Sequence, residues 1–215
     1  MKKNNYSRSQ LSFNLCYKFD KLSRFAALFS FFIFHSSFQC AAQPRMRDCI
    51  LSMPDSMMTL LTKVNRADCI DFREANMEAK VSNRLGGTTE LSVLTDDYAL
   101  WQYTSASQME MKLLPMTDST SVICVVHTVQ TPVSDSRIAF YDTAWTPLPN
   151  PNLYLLSPNH DSPFTTRYSL FPDSMTLQAE LCSENYEMKD ESAELIPTNT
   201  FIRYDWTEGR FVIRQ

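Results

Sequence analysis

QMEMKLLPMTDSTSVICVVHTVQTPVSDSRIAFYDTAWTPL, residues Gln108 to Leu148, holds three alternating runs divided by short polar turns. Met109, Met111 and Leu113 mark the first run. Val122 to Val129 is the second and is apolar on both faces. Ser136 to Tyr141 is the third. Runs rich in β-branched and aromatic residues, bounded by Pro, Asp and Ser clusters, are strands of an antiparallel meander. The middle run, apolar at every second position on both registers, is predicted to be the central strand, buried on both sides.

Working outward, Glu90–Leu94 and Tyr98–Tyr103 read as two more strands joined by Thr95-Asp96-Asp97, with a turn at Asn83–Gly87 before them. Nearer the N-terminus, Ser52-Met-Pro-Asp55 reads as a helix start, followed by an apolar stripe at Met57, Met58, Leu60, Leu61 and Val64. Asn65 is expected to break that helix, and Asp68–Met77 to supply a short second one. On the other side, Pro147-Leu-Pro-Asn-Pro151 is the expected boundary, since prolines remove ladder donors. Leu153–Pro172 then reads as an irregular connector. Alternation returns at Met175–Leu181, around Glu194–Ile196, and in Phe201–Trp206, with Thr207-Glu-Gly209 turning into Arg210–Arg214 as a hairpin. Helices kept apart from strands predict an α+β fold: two N-terminal helices packed on an antiparallel β-meander, followed by a second, smaller antiparallel strand group.

Residues 1–42 read as a removable leader. Six basic residues precede Phe25–Phe34, a ten-residue apolar core too short to span a bilayer, and small residues at Cys40 and Ala42 offer a cleavage site before Gln43. The rival reading makes Cys40 a lipid-bearing cysteine, with Phe38 and Gln39 as poor neighbours for it. Residues 43–215 are then expected to form one α+β domain, with two subdomains meeting near residues 147–172 as the alternative division. No later segment is apolar enough for a transmembrane helix. Six of the 20 basic and one of the 24 acidic residues lie in the leader, so 14 basic face 23 acidic side chains in the remainder, a net charge of −9. That balance argues against nucleic acid and anionic lipid as partners, because both need a basic footprint. Cys49, Cys69, Cys124 and Cys182 remain; they lack a C-x-x-C spacing and are expected as buried free thiols, with one bridge as the alternative.

A set of phrases adds to this reading. Met53-Pro-Asp-Ser56, Leu60-Leu-Thr-Lys-Val-Asn-Arg66, Asp68-Cys-Ile-Asp-Phe72, Leu94-Thr-Asp-Asp-Tyr98, Lys112-Leu-Leu-Pro115, Val122-Ile-Cys-Val-Val126 and Tyr204-x-Trp-x-x-Gly209 resemble a domain-of-unknown-function family of exported Bacteroidales proteins. The resemblance covers most of residues 43–215. It implies export and a shared fold, and no assigned activity or functional residues come with it.

Chemical motifs are few. The chain holds three glycines, where an average chain of this length carries about 15. Neither a P-loop nor a dinucleotide fingerprint can be assembled from them, and no cofactor is expected. His127 alternates with Cys124 along its strand, so the two face opposite sides and form no local thiol–imidazole pair. His160 and Asp161, in the connector, are the metal-ligand candidates, with a plain surface turn as the alternative. Asp96 and Asp97 are the catalytic candidates: paired carboxylates can hydrolyse glycosides when they face each other about 5–10 Å apart. Adjacent residues diverge, so Glu90 or Glu110 would have to complete such a pair. Trp101, Tyr103, Trp145 and Tyr154 could form a sugar platform, although strand aromatics are ordinarily core.

Asp followed by Ser or Thr and then an apolar residue or Thr occurs at Asp55-Ser-Met, Asp118-Ser-Thr, Asp142-Thr-Ala and Asp173-Ser-Met. This resembles the acceptor motif for O-glycosylation of exported proteins in such bacteria, which makes Ser56, Ser119, Thr143 and Ser174 the modification candidates. The sequence therefore predicts a periplasmic or cell-surface binding protein without catalysis, with an envelope protein or glycan as partner. The alternatives are a carboxylate-dependent hydrolase of glycan or peptide, and a structural envelope-assembly protein.

Overall fold

The computed structural model describes residues 43–118, 120–130, 133–149, 165–182 and 201–214. The leader with Cys40, and Ser119, Tyr154, His160, Asp161 and the expected strand at Glu194–Ile196, lie outside the described residues. Within them, two helices precede eleven strands: α1 Met46–Ser52 and α2 Lys63–Glu74, then β1 Lys80–Ser82, β2 Thr88–Leu94, β3 Tyr98–Thr104, β4 Ser107–Pro115, β5 Ser121–Gln130, β6 Ser134–Asp142, β7 Pro147–Leu148, β8 Thr165–Leu170, β9 Thr176–Cys182, β10 Phe201–Thr207 and β11 Arg210–Ile213. Strands β1 to β7 form one antiparallel sheet in sequence order, and β8 to β11 form a second, ordered β11-β10-β9-β8. This is an α+β arrangement with the helices ahead of the strands.

The large sheet is the middle layer. Along β4 successive side chains point to opposite faces: Met109, Met111 and Leu113 join Met46, Ile50, Leu61 and Ile70 in a helix-side core. Leu114, with Val122, Cys124 and Val126 of β5, belongs to a second core completed by Tyr168, Leu170, Leu177 and Tyr204 of the small sheet. Of the run Val122–Val129, expected to be buried on both sides, Val122–Val126 is buried throughout because each face meets a different layer. His127 is half-buried and Val129 is 51% exposed where the strand runs out past the core, and the middle strand of the seven is β4, its neighbour. β4 and β5 pair without interruption from Ser107↔Val129 to Pro115↔Ser121.

The helices differ from expectation. The first ends at Ser52, where one was expected to start, and Met53–Thr62 is not helical. Met46, Cys49, Ile50 and Met53 are the helically spaced buried set; Pro54 cannot extend the helix, having no N–H to donate. Asn65 opens α2 instead of breaking a helix. Thr62 Oγ1 accepts from the Asn65 N–H at 3.2 Å while Asn65 Oδ1 accepts from the Thr62 N–H at 3.3 Å, a reciprocal capping box. Arg66, fully buried, braces the intervening segment, donating to Met53 O at 2.7 Å and Asp55 Oδ1 at 2.8 Å. α2 closes through Asn76, at φ 55°. The Met77 N–H reaches Phe72 O at 2.8 Å and the Asn76 N–H reaches Arg73 O at 3.1 Å, a Schellman ending.

Two further expectations are corrected. Pro147 does enter the ladder, but on the two-residue edge strand β7, where a missing donor costs no hydrogen bond. The stretch read as an irregular connector contains β8, whose Thr166, Tyr168 and Leu170 alternate inward. The β10–β11 hairpin forms as predicted, with Glu208 and Gly209 at φ 52° and 77°, the signature of a two-residue type I′ turn.

Candidate functional site

The catalytic candidates Asp96 and Asp97 lie in the β2–β3 turn, Thr95-Asp96-Asp97. Thr95 Oγ1 accepts from the Tyr98 N–H at 3.0 Å and donates to Asp97 Oδ1 at 3.0 Å, which shapes the turn. Its carbonyls reach the neighbouring elements: Asp96 O accepts from the Met46 N–H that starts α1, and Asp97 O from Leu113 N–H, both at 2.7 Å. The two carboxylates then part. Asp96 lies 2.9 Å from the Arg45 guanidinium on the helix layer, exposed. Asp97 lies 2.9 Å from Lys112 Nζ, whose side chain is 2% exposed.

Lys112 and Glu110 share the face of β4 that meets the small sheet. Lys112 Nζ also donates to Pro172 O at 2.8 Å and stands 5.8 Å from the Tyr98 ring centroid. Glu110 Oε2 accepts the Leu170 N–H at 2.7 Å and the Tyr98 hydroxyl at 3.3 Å, and Oε1 accepts Gln108 Nε2 at 3.1 Å. Burial pushes the Glu110 carboxyl above its usual range, and the Leu170 N–H, Tyr98 hydroxyl and Arg167 charge oppose that shift. The same burial, with Glu110 beside it, pushes the Tyr98 phenol up. Leu170 lies opposite Leu177 of β9, and its N–H, like that of Tyr168, which donates to Ser136 Oγ at 3.0 Å, leaves the small sheet for a side chain of the large one. One strand of the large sheet thus supplies an acceptor for Leu170 N–H and a donor for Pro172 C=O, securing the β8 edge.

Two surface depressions flank the turn. One, of about 240 Å3, is lined by Arg45, Arg47, Arg73, Glu74, Leu94, Thr95 and Asp96. The other, of about 280 Å3, has Pro44, Leu113, Pro115 and Met175 among its walls and shares Arg45 and Asp96 with the first. In the first, Arg47 Nη1 contacts both Glu74 oxygens, at 3.0 and 2.7 Å. Arg73 Nη2 donates to Ser92 O. The β2–β3 ladder skips Ser92 at a bulge, which leaves that carbonyl outside the sheet pairing.

The remaining candidates disperse. Glu90 pairs with Lys80 at 3.6 Å, on the far edge of the sheet. His127 is half-buried, and burial with the Arg137 charge holds its pKa below 6.5. Trp101 and Trp145 are core, with Trp145 Nε1 donating to Cys49 O at 2.9 Å; Tyr103 is partly buried, its hydroxyl accepting from Leu60 N–H at 3.1 Å. The four cysteines among the described residues, Cys49, Cys69, Cys124 and Cys182, are free, and burial raises the Cys49 and Cys69 thiols to about 11, which suppresses thiolate chemistry. Among the described residues no three His, Cys, Asp or Glu side chains group as a metal site would require, and no helix is long and apolar enough to cross a membrane.

Sequence reasoning missed the roles of Arg45, Arg47, Arg73 and Lys112. The arginines are far apart in the chain, at the two ends of the helical region, and only helix packing collects them. Lys112 alternates with Met111 and Leu113, so the strand pattern alone assigns it to solvent.

No curated protein matches the chain. A solved structure, that of a domain of an uncharacterized protein from Porphyromonas gingivalis W83, is similar at a TM-score of 0.62 and 27% identity, over 80% of this chain and 99% of that one. A family model described as a protein of unknown function, DUF3256, matches residues 37–204. The chain belongs to that family, DUF3256.

Proposed function

We propose that the chain is an exported binding protein of the periplasm or cell surface, without catalysis of its own, whose partner is an envelope protein or glycan. The observation that carries this reading is the separation of Asp96 and Asp97 onto cations of different layers. A glycosidase pair faces one bond from two sides, whereas these two carboxylates serve as ties to Arg45 and Lys112. The leader-like segment and the net acidity of the remainder support the location. Capture experiments on envelope extract, with tagged mature protein as bait, are expected to return one stoichiometric partner, and repeated failure to return any would end the reading. A carboxylate-dependent hydrolase draws support from the raised Glu110 pKa alone; that carboxyl lies beneath Leu170 and Tyr98, out of reach of a polymeric substrate unless the small sheet lifts. A purely structural envelope role fits the same ties.

The proposal extends to modification of the Asp-Ser/Thr turns. Asp142 Oδ1 accepts from Ala144 N–H at 2.9 Å, and Asp118 Oδ1 from Thr120 N–H at 3.0 Å. Thr143, Ser56 and Ser174 are all exposed, which supports them as O-glycan acceptors. Intact mass of the protein recovered from its native host tests this; a mass equal to the bare polypeptide would remove it.

A further inference from the structure

We propose that the cleft between α1, the last turn of α2 and the β2–β3 turn binds a small oxyanion, the phosphate or carboxylate group of a soluble ligand, on the guanidinium of Arg73. Three guanidiniums and two carboxylates line this cleft. Arg45 is neutralised by Asp96 at 2.9 Å, and Arg47 by Glu74 at 2.7 Å with Asp71 beside it at 3.8 Å. Arg73 is different. Its hydrogen-bond partner is the carbonyl oxygen of Ser92, an uncharged group, and no carboxylate lies within ion-pair distance of it among the described residues.

A half-buried guanidinium without a counter-charge gives up part of its hydration in this concave surface, and an anion there would restore the balance. The partial negative charge at the end of α2, about half an elementary unit, offsets only part of that loss. Planar guanidinium groups present their N–H donors in a fork that matches two oxygens of a carboxylate or phosphate. The bulge at Ser92 holds one Nη and fixes the orientation of the others. Arg45, 58% exposed, and Arg47, 36% exposed, line the same cleft and add to its positive lining. The cleft's volume, about 240 Å3, falls below the range of roughly 300–1,000 Å3 typical of sites for larger organic ligands. It suits an inorganic anion or the charged end of a longer molecule, with Leu94 against the apolar neighbour of that end.

The test is a titration followed by backbone and arginine side-chain amide NMR, with inorganic phosphate in one arm and acetate in the other. Sodium chloride keeps ionic strength constant. Saturable shifts are expected at Arg73 and across Leu94–Asp96, and whichever anion binds more tightly identifies the source of the oxyanion. Arg73→Gln should weaken binding at least tenfold. Asp96→Asn removes a competing acid at an exposed position and should tighten it several-fold, while Glu208→Gln, the same charge change at the remote hairpin, should leave it unaltered. Because Asp96→Asn acts at the surface, it carries the test should Arg73→Gln fold poorly. Shifts that grow linearly with anion, or that are the same in Asp96→Asn and Glu208→Gln, would overturn the assignment. The inference goes beyond the partner-binding reading above, and either can fail alone: saturable phosphate binding without a captured partner ends only the former reading, and the converse ends only this one.

Discussion

The pKa values of Glu110 and His127 are shifted in opposite directions, up and down respectively, which makes pH a tool for separating them. Burial holds the folded-state pKa of Glu110 above the ordinary 4.5. In the window between those values the folded chain binds the extra proton, so this group's contribution to stability falls as pH rises. His127 is held below 6.5 by burial and by Arg137; the unfolded chain binds the extra proton there, so its contribution falls as pH drops. Urea unfolding between pH 4.5 and 7 should therefore show Glu110→Gln gaining stability relative to wild type as pH rises. His127→Gln should gain relative to wild type as pH falls. Parallel curves for wild type and both variants would contradict the assignment. Lys112 gives a larger effect. Replacing it with Met strips Asp97 of its cation and Pro172 O of its donor, and leaving such groups unmatched costs about 2–3 kcal/mol, less than for a fully enclosed pair because Asp97 retains water contact. A urea midpoint unchanged from wild type would show that the tie contributes nothing.

At the scale of elements, the ends of α2 decide more than its interior. Thr62→Ala removes the acceptor for Asn65 N–H and should lower stability by about 1 kcal/mol. Asn76→Gly should raise it by about 0.5–1 kcal/mol, because Asn76 sits at φ 55° where glycine has no steric penalty. Thermal unfolding of the two variants checks both signs together. These caps also explain where the sequence misleads. Asn65 reads as a breaker by its low helix propensity, but at the third position of a helix its side chain finds a partner in Thr62. Met57, Met58, Leu60 and Leu61 carry helical spacing, and Met58 and Leu61 are indeed buried, yet in turns braced by Arg66. Burial is legible from composition there; helicity is not. β8 escapes notice because its six residues are flanked by Pro, Ser and Asp, and its inward set of Thr166, Tyr168 and Leu170 is short.

At the scale of the whole molecule, the small sheet is held to the large one by aromatic contact as well as by buried charge. Trp206 Nε1 donates to Pro115 O at 2.6 Å, its ring lies 6.5 Å from that of Phe140, and Phe211 packs edge-on at 5.0 Å. Trp206→Ala should cost about 2–3 kcal/mol, below the value for a fully enclosed tryptophan since this one keeps some exposure. Hydrogen exchange gives the more informative readout: amides of β8–β11 should lose protection first, with β3–β5 keeping theirs. A uniform loss across both sheets would mean that the layers open as one unit.

The meander from β2 to β6, the hairpin at Glu208-Gly209 and the doubly buried stretch Val122–Val126 of β5 are local properties. Alternation, turn chemistry and unbroken apolarity act over a few neighbouring residues, so they are written in the chain itself. Which face of β4 is solvent and which is core is not local. Glu110 and Lys112 occupy positions that a two-layer protein leaves in water, and only the docking of β8 encloses them and turns them into the ties that hold it. The same is true of Asp96 and Asp97. Their adjacency suggests a shared chemistry, but a side chain takes its role from the charge it meets, and packing sets a cation on each side of the turn.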